Sequence, residues 1–169
     1  MTKVKVPFFK QDTNYSCGPV ALQMVFLFFG KMKSEKELIK KLKTRKDEGI
    51  SHTKMKEGAK KFGFRVVIKE DATITMIKNF LKKKKPVIVN YIEPDYQEGH
   101  YAVVTGINRG VIIMNDPWHG KNFKMEKEEF VKRWRSEYEK SKRWLMVISK
   151  KKRKNKSTGI RKNNLKVLN

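Results

Sequence analysis

Apolar positions along this chain come as one dense run and several periodic ones. From Cys17 to Phe29 nearly every residue is apolar, which predicts a buried helix; its apolar core, Val20 to Phe29, is interrupted by Gln23 and too short to span a bilayer. Ser34-Glu35-Lys36-Glu37 reads as a capping box that opens a helix running to about Thr44, with Leu38, Ile39 and Leu42 on one face. Thr53 to Phe62 reads as another helix, closed at Gly63. Ile74, Ile77, Phe80 and Leu81 set a helix from about Ile74 to Lys84, and Pro86 ends it. A last helix is expected over Glu126 to Tyr138, presenting Phe130, Val131 and Trp134. The β-type runs are Val4 to Phe9, Phe64 to Ile68, Val87 to Ile92 and Trp144 to Ile148. Helices first and strands late indicate an α+β domain with an antiparallel sheet.

Two further β-rich runs, Gly99 to Ile107 and Val111 to Asp116, flank the turn signal Asn108-Arg109-Gly110 and read as a hairpin. With those three residues as the loop, Ile107 opposes Val111 and Ala102 opposes Asp116. His100 and Asp116 then become diagonal neighbours on one face of the sheet. A bulge would spoil this register.

Cys17, the single cysteine, opens the apolar helix in the phrase Ser16-Cys17-Gly18-Pro19. Pro19 suits a first helical turn, which needs no N–H. The unpaired N–H groups and the dipole at that end favour a thiolate. Position alone leaves two readings open, a nucleophile or a small buried hydrophobe. The hairpin tips the balance, because a thiolate-prone sulfur, an imidazole and an orienting carboxylate are what thiol catalysis requires. Gln11, six residues before Cys17, can offer a side-chain N–H to a developing oxyanion alongside the backbone N–H of Cys17.

In order along the chain, Gln11, Cys17-Gly18-Pro19 with Ala21-Leu22, Gly99-His100-Tyr101-Ala102-Val103-Val104, and Asp116-Pro117 with Gly120 resemble the papain-like, double-glycine leader peptidases of bacteriocin-exporting ABC transporters. The resemblance spans roughly residues 4 to 148, and the order of separate motifs makes it specific. It implies a papain-like fold in which a nucleophile helix packs on a sheet carrying the base. It implies Cys17 as nucleophile, His100 as general base and acid, Asp116 as orienting acid, Gln11 as oxyanion donor, and cleavage after glycine. The family's transporter-linked members continue into membrane helices and a nucleotide-binding domain, whereas this sequence stops at residue 169 with neither.

Composition adds bounds. A length of 169 residues suits one peptidase domain, residues 1 to 149, followed by a basic tail from 150 to 169. One cysteine excludes an internal disulfide framework, and no signal peptide is evident, so a soluble, cytoplasmic protein is expected. Its partners would be a peptide or protein substrate and, as the resemblance suggests, a transporter in a separate subunit. Net charge is +24, and Lys150 onward carries nine Lys or Arg without an acidic residue. Such a tail reads as disordered in isolation and suited to a polyanion, nucleic acid or an anionic membrane; a tail with no specific partner is the other reading. Besides a peptidase, the sequence admits a peptide-holding module of the same fold and a basic nucleic-acid-associated protein.

Other polar residues receive plainer readings. His119 follows a turn rather than opening a strand, so His100 is preferred as the base. His52 reads as a solvated residue near a helix start. Three scattered histidines and one cysteine lack ligand spacing, so neither metal nor cofactor is expected. Trp118 beside Pro117 reads as packing, with lining of a substrate cleft the other reading; Asn90 and Asn115 read as strand-end turn chemistry or substrate contact, and Lys82 to Lys85 as a solvated helix end. Glu93, Asp95 and Glu98 form a rare acidic stretch just before His100 that reads as a solvated loop, steering of a cationic substrate being the other reading.

Overall fold

The strands described make one antiparallel sheet, and the helix that opens at Cys17 lies against its centre. A computed structural model describes residues 2–151 of the chain. Strand β1 (Thr2–Lys3) leads by an extended segment to helix α1 (Cys17–Phe28), followed by α2 (Glu35–Leu42), α3 (His52–Lys61), β2 (Phe64–Lys69) and α4 (Ile74–Lys82). Then come β3 (Val87–Ile92), β4 (Gly99–Asn108), β5 (Val111–Asp116), β6 (Gly120–Glu126), α5 (Lys127–Arg133) and β7 (Leu145–Lys150). The sheet order is β2-β7-β3-β4-β5-β6, with β1 paired on β4.

Helix α1 is buried because it is apolar nearly all round: Val20, Ala21, Leu22, Met24, Val25 and Phe26 are inaccessible to solvent, and the helix packs on β4. Gly18 permits that approach, since a Cβ there would stand 3.2 Å from a ring carbon of Tyr101 on β4, and 2.3 Å from Cγ2 of Ile50. Ser34, Ser51 and Thr73 cap α2, α3 and α4 through their hydroxyl oxygens. The capping box at Ser34 is half realised, because Glu37 pairs with Lys33 at 2.8 Å. Every residue of β3 is buried, as befits a strand with neighbours on both edges.

The β4–β5 hairpin differs from expectation in a way that cancels. Its loop has two residues, Arg109 and Gly110, both with positive φ, and Asn108 pairs with Val111. A bulge at Thr105 then absorbs one residue, so that Val103 faces Asn115. That is the register the three-residue loop would have set, and the bulge restores it rather than spoiling it.

Three elements depart from the pattern reading. The extended run Val4 to Phe9 is not a strand beyond Lys3, although the Val4 N–H donates to the Thr105 carbonyl at 2.7 Å. The last helix stops at Arg133 rather than Tyr138, because the buried Trp134 indole donates to the Trp144 carbonyl at 2.8 Å and Arg135 pairs with Lys142. Strand β6 went unassigned, although Phe123 and Met125 alternate with polar residues there. Of the basic tail, residues 152–169 lie outside those described.

Candidate active site

Cys17 is the first residue of α1, 9% exposed, with Ser16 as its N-cap. The Ser16 hydroxyl does not cap the helix; it donates to the carboxylate of Glu35 at the start of α2 and accepts from Thr13 Oγ1 at 2.8 Å. Glu35 also accepts the Asp12 N–H at 3.1 and 3.2 Å. The segment ahead of Cys17 is therefore tied to α2 through one carboxylate, a link with no signature in the sequence.

His100, on β4, and Asp116, at the end of β5, meet with Nε2 of the imidazole 2.9 Å from Oδ1 of the carboxylate. His100 is 6% exposed and Asp116 is wholly buried. Oδ1 also accepts the N–H groups of Trp118 and His119, each at 2.9 Å, and Oδ2 accepts the Tyr91 hydroxyl at 2.7 Å. Burial alone would raise the pKa of Asp116, but His100 and these donors hold it below the ordinary carboxylate value. For His100, burial opposes the imidazolium, yet Asp116 and Cys17 together carry its pKa up to about 10. With Nε2 committed to Asp116, Nδ1 is the ring nitrogen left for Cys17, which lines the same cleft as His100. Burial, reinforced by Asp116, drives the Tyr91 phenol far above its ordinary pKa, so it acts as a fixed donor.

Gln11 is buried, lines the same cleft as Cys17 and His100, and donates one Nε2 hydrogen to the Thr13 carbonyl at 2.7 Å. A primary amide carries two such hydrogens, so one remains. Its backbone N–H donates to the Pro117 carbonyl at 3.0 Å, fixing the loop before Cys17 to the turn after Asp116. Of the four residues singled out in the sequence, Gln11, Cys17 and His100 thus line one cleft, and Asp116 lies buried behind His100.

Several plainer readings need correction. His52 is not solvated: it is 6% exposed, stacks on Trp144 at 4.1 Å between ring centres, and pairs through Nδ1 with Glu139 at 3.0 Å. Its burial lowers its pKa, though Glu139 acts the other way. His119 stacks on Phe123, with its ring nitrogens toward Glu93 at 3.3 Å and Asp95 at 3.5 Å. Glu93 is not a solvated loop residue but a buried one, accepting the N–H groups of Asp95, Tyr96 and Glu98. Asn90 donates to the His100 carbonyl at 3.3 Å, and Asn115 to the Val6 carbonyl at 3.0 Å, so both brace the sheet around the site. Trp118 is 39% exposed on the cleft wall.

Among the described residues one group could gather metal-ligating atoms, Glu93, Asp95 and His119, within 4.8 Å of one another. The loop hydrogen bonds of Glu93 and the stacking of His119 on Phe123 account for that grouping.

A family model described as the Peptidase C39 family matches residues 5–139. The chain belongs to this family. C39 proteins are cysteine peptidases acting on peptide bonds. Over 132 residues the chain is 31% identical to the lactococcin-A transport/processing ATP-binding protein LcnC of Lactococcus lactis, a match that covers 77% of this chain and 18% of that protein. The chain thus spans under a fifth of the length of the curated relatives it matches. Among solved structures, the peptidase domain of Streptococcus ComA, a bifunctional ABC transporter of a quorum-sensing pathway, superposes with a TM-score of 0.71 at 26% identity, covering 89% of this chain and all of that one. A double-glycine-motif protease from an AMS/PCAT transporter, solved with its leader peptide, shares the fold at a TM-score of 0.68 and 19% identity, covering 86% of this chain and 92% of that one. The α+β, papain-like architecture of C39 domains is that of this chain. Among the described residues no helix is long and apolar enough to cross a membrane.

Proposed function

We propose that the C39 chemistry of this chain is hydrolysis of a peptide bond following glycine, carried by Cys17, His100, Asp116 and Gln11. The observation that carries the reading is the buried His100–Asp116 pair at 2.9 Å on the cleft that Cys17 also lines. Sγ of Cys17 attacks the carbonyl carbon, and the charge forming on oxygen is met by the Cys17 N–H and the free amide hydrogen of Gln11. His100 passes a proton to the leaving nitrogen as the C–N bond breaks, giving a thioester and a free amine. His100 then takes a proton from water, hydroxide attacks the thioester, and C–S cleavage releases the carboxylic acid and restores the sulfur. Asp116 holds the imidazole in one orientation throughout and balances its charge.

Cleavage after glycine is supported by the double-glycine specificity named for one structural relative. The decisive test is incubation of the protein with peptides bearing a central Gly-Gly. Wild type is expected to release the fragment beyond the second glycine and to show a transient acyl adduct at Cys17 by intact mass, whereas Cys17→Ala does neither. A wild type that binds such peptides but cleaves none would leave a peptide-holding module in its place.

The domain boundary proposed is residue 149, with the nine cationic residues from Lys150 onward serving polyanion contact. Truncation after Ser149 should retain peptidase activity and weaken duplex binding at low salt. Unchanged binding would remove that role.

A further inference from the structure

We propose that the leaving-group side of this cleft selects a basic side chain, lysine or arginine, within the first residues following the scissile bond. The inference rests on the peptidase reading above and adds to it a substrate class.

Two cavities meet at Cys17. One, of about 230 Å³, includes Gln11, His100, Tyr96, Glu98 and Trp118 in its wall. The other, of about 510 Å³, is walled partly by Ile50, Tyr101 and Glu137 and does not include His100. Because His100 must reach the leaving nitrogen, the departing half of the peptide runs along the first cavity.

That cavity has a chemistry opposite to the rest of the chain. Lys and Arg make up 41 of 169 residues, yet neither lines it, whereas Glu93 and Glu98 both do. Glu93 is committed to the backbone N–H groups of its own loop. Glu98 is exposed, and among the described residues its carboxylate takes part in no hydrogen bond or ion pair. Beside it stand Tyr96 and Trp118, 67% and 39% exposed, with ring centres 6.1 Å apart and planes at 77°. Two exposed rings meeting nearly at right angles beside an uncommitted carboxylate offer a cation an aromatic face and a counter-charge. Gln11 adds an acceptor to the same wall: it is 7% exposed, and its Oε1 has no partner. A guanidinium or ammonium satisfies all three features; an acidic side chain is repelled, and an aliphatic one meets the rings but leaves Glu98 unpaired.

The test uses the full chain and peptides with a central Gly-Gly, varied at each of the first three positions after the cut. Arginine is compared with citrulline, lysine with norleucine, and both with glutamate. Wild type is expected to favour the charged member of each pair by about 10-fold or more in kcat/KM at one position, with glutamate poorest. Glu98→Gln and Tyr96→Leu should each pull that ratio toward one. Calorimetric titration of Cys17→Ala with the same peptides should give the same order in Kd. Cleavage or binding indifferent to charge overturns the cation site and leaves the peptidase reading intact. Charge-selective binding to Cys17→Ala, with no peptide cleaved by wild type, supports the cation site and overturns the peptidase reading.

Discussion

The hydroxyl of Tyr91 donates to Oδ2 of Asp116 at 2.7 Å, on the carboxylate oxygen that His100 does not touch. Tyr91 and Asp116 are both wholly buried. Tyr91→Phe should leave that oxygen without a partner in a site closed to water and destabilise the fold by about 1–3 kcal/mol, measured by denaturant unfolding. It should also lower kcat, since the carboxylate that orients His100 loses one of its restraints. A variant as stable as wild type would mean that water or another donor takes the place of the phenol.

The raised pKa of His100 gives stability a definite slope with pH. The fold favours the imidazolium, so its contribution is complete below the ordinary value of 6.5 and is lost as pH rises toward about 10. Asp116 works in the other sense, contributing above its ordinary value of 3.8 and losing that as pH falls through its lowered folded value. The difference in unfolding free energy between wild type and His100→Ala should therefore shrink steadily between pH 6.5 and 10. Proton delivery to the leaving nitrogen should fade over the upper end of the same range, giving kcat/KM an alkaline limb.

Gln11 separates an assembled oxyanion site from a bare thiol–imidazole pair. Gln11→Ala should lower kcat by about 10²–10³ with little change in KM, while alkylation of Cys17 by iodoacetamide proceeds as in wild type. His100→Ala should slow that alkylation sharply. Because Glu35 anchors the Asp12–Ser16 segment whose Thr13 carbonyl holds the Gln11 amide, Glu35→Ala should reproduce part of the Gln11 loss. The two changes together should cost less than the product of their separate effects.

Gly18→Ala tests how closely helix α1 is seated. Alanine is the better helix former, so an unencumbered site would gain up to about 1 kcal/mol. Here the added methyl meets Ile50 Cγ2 at 2.3 Å, Met55 Sδ at 3.1 Å and a Tyr101 ring carbon at 3.2 Å. A loss of about 1–3 kcal/mol is expected instead, measured by thermal or denaturant unfolding. Ile50→Ala, which removes the nearest atom, should recover part of it in the double variant.

What the sequence disclosed was the part governed by local pattern. The all-apolar helix, the capped helices and the hairpin signal all follow from side-chain periodicity and turn chemistry, and they suffice to bring His100 and Asp116 together; the packing of Cys17 beside them follows only from the family resemblance. Residues acting across long sequence separations stayed hidden. Tyr91 reads as one more apolar strand position, although its hydroxyl finds Asp116 25 residues away. His52 beside Ser51 looks like a helix start in water until Trp144 arrives to stack on it. Glu93 resembles any acidic loop residue because its partners are backbone N–H groups, which carry no sequence signature. Helix α5 was read too long because Phe130, Val131 and Trp134 keep helical spacing whether or not the backbone does, and Trp134 is held by a carbonyl of a later segment.

The bulge at Thr105 makes β4 two strands in series. Toward the tip, pairing follows the tight turn at Arg109-Gly110; toward His100, it follows a register offset by one residue. Thr105 is the residue that β5 leaves uncounted: with the tip pairing kept, deleting it sets Val104 on Met114 and Val103 on Asn115 in an unbroken ladder, and His100 keeps its face of the sheet. A residue lost between His100 and Val103, with the bulge retained, shifts that pairing by one and turns His100 away from Cys17 with every residue of the site still present. The bulge is the slack link of the strand: the fold forgives a loss there that it does not forgive two or three residues nearer the imidazole.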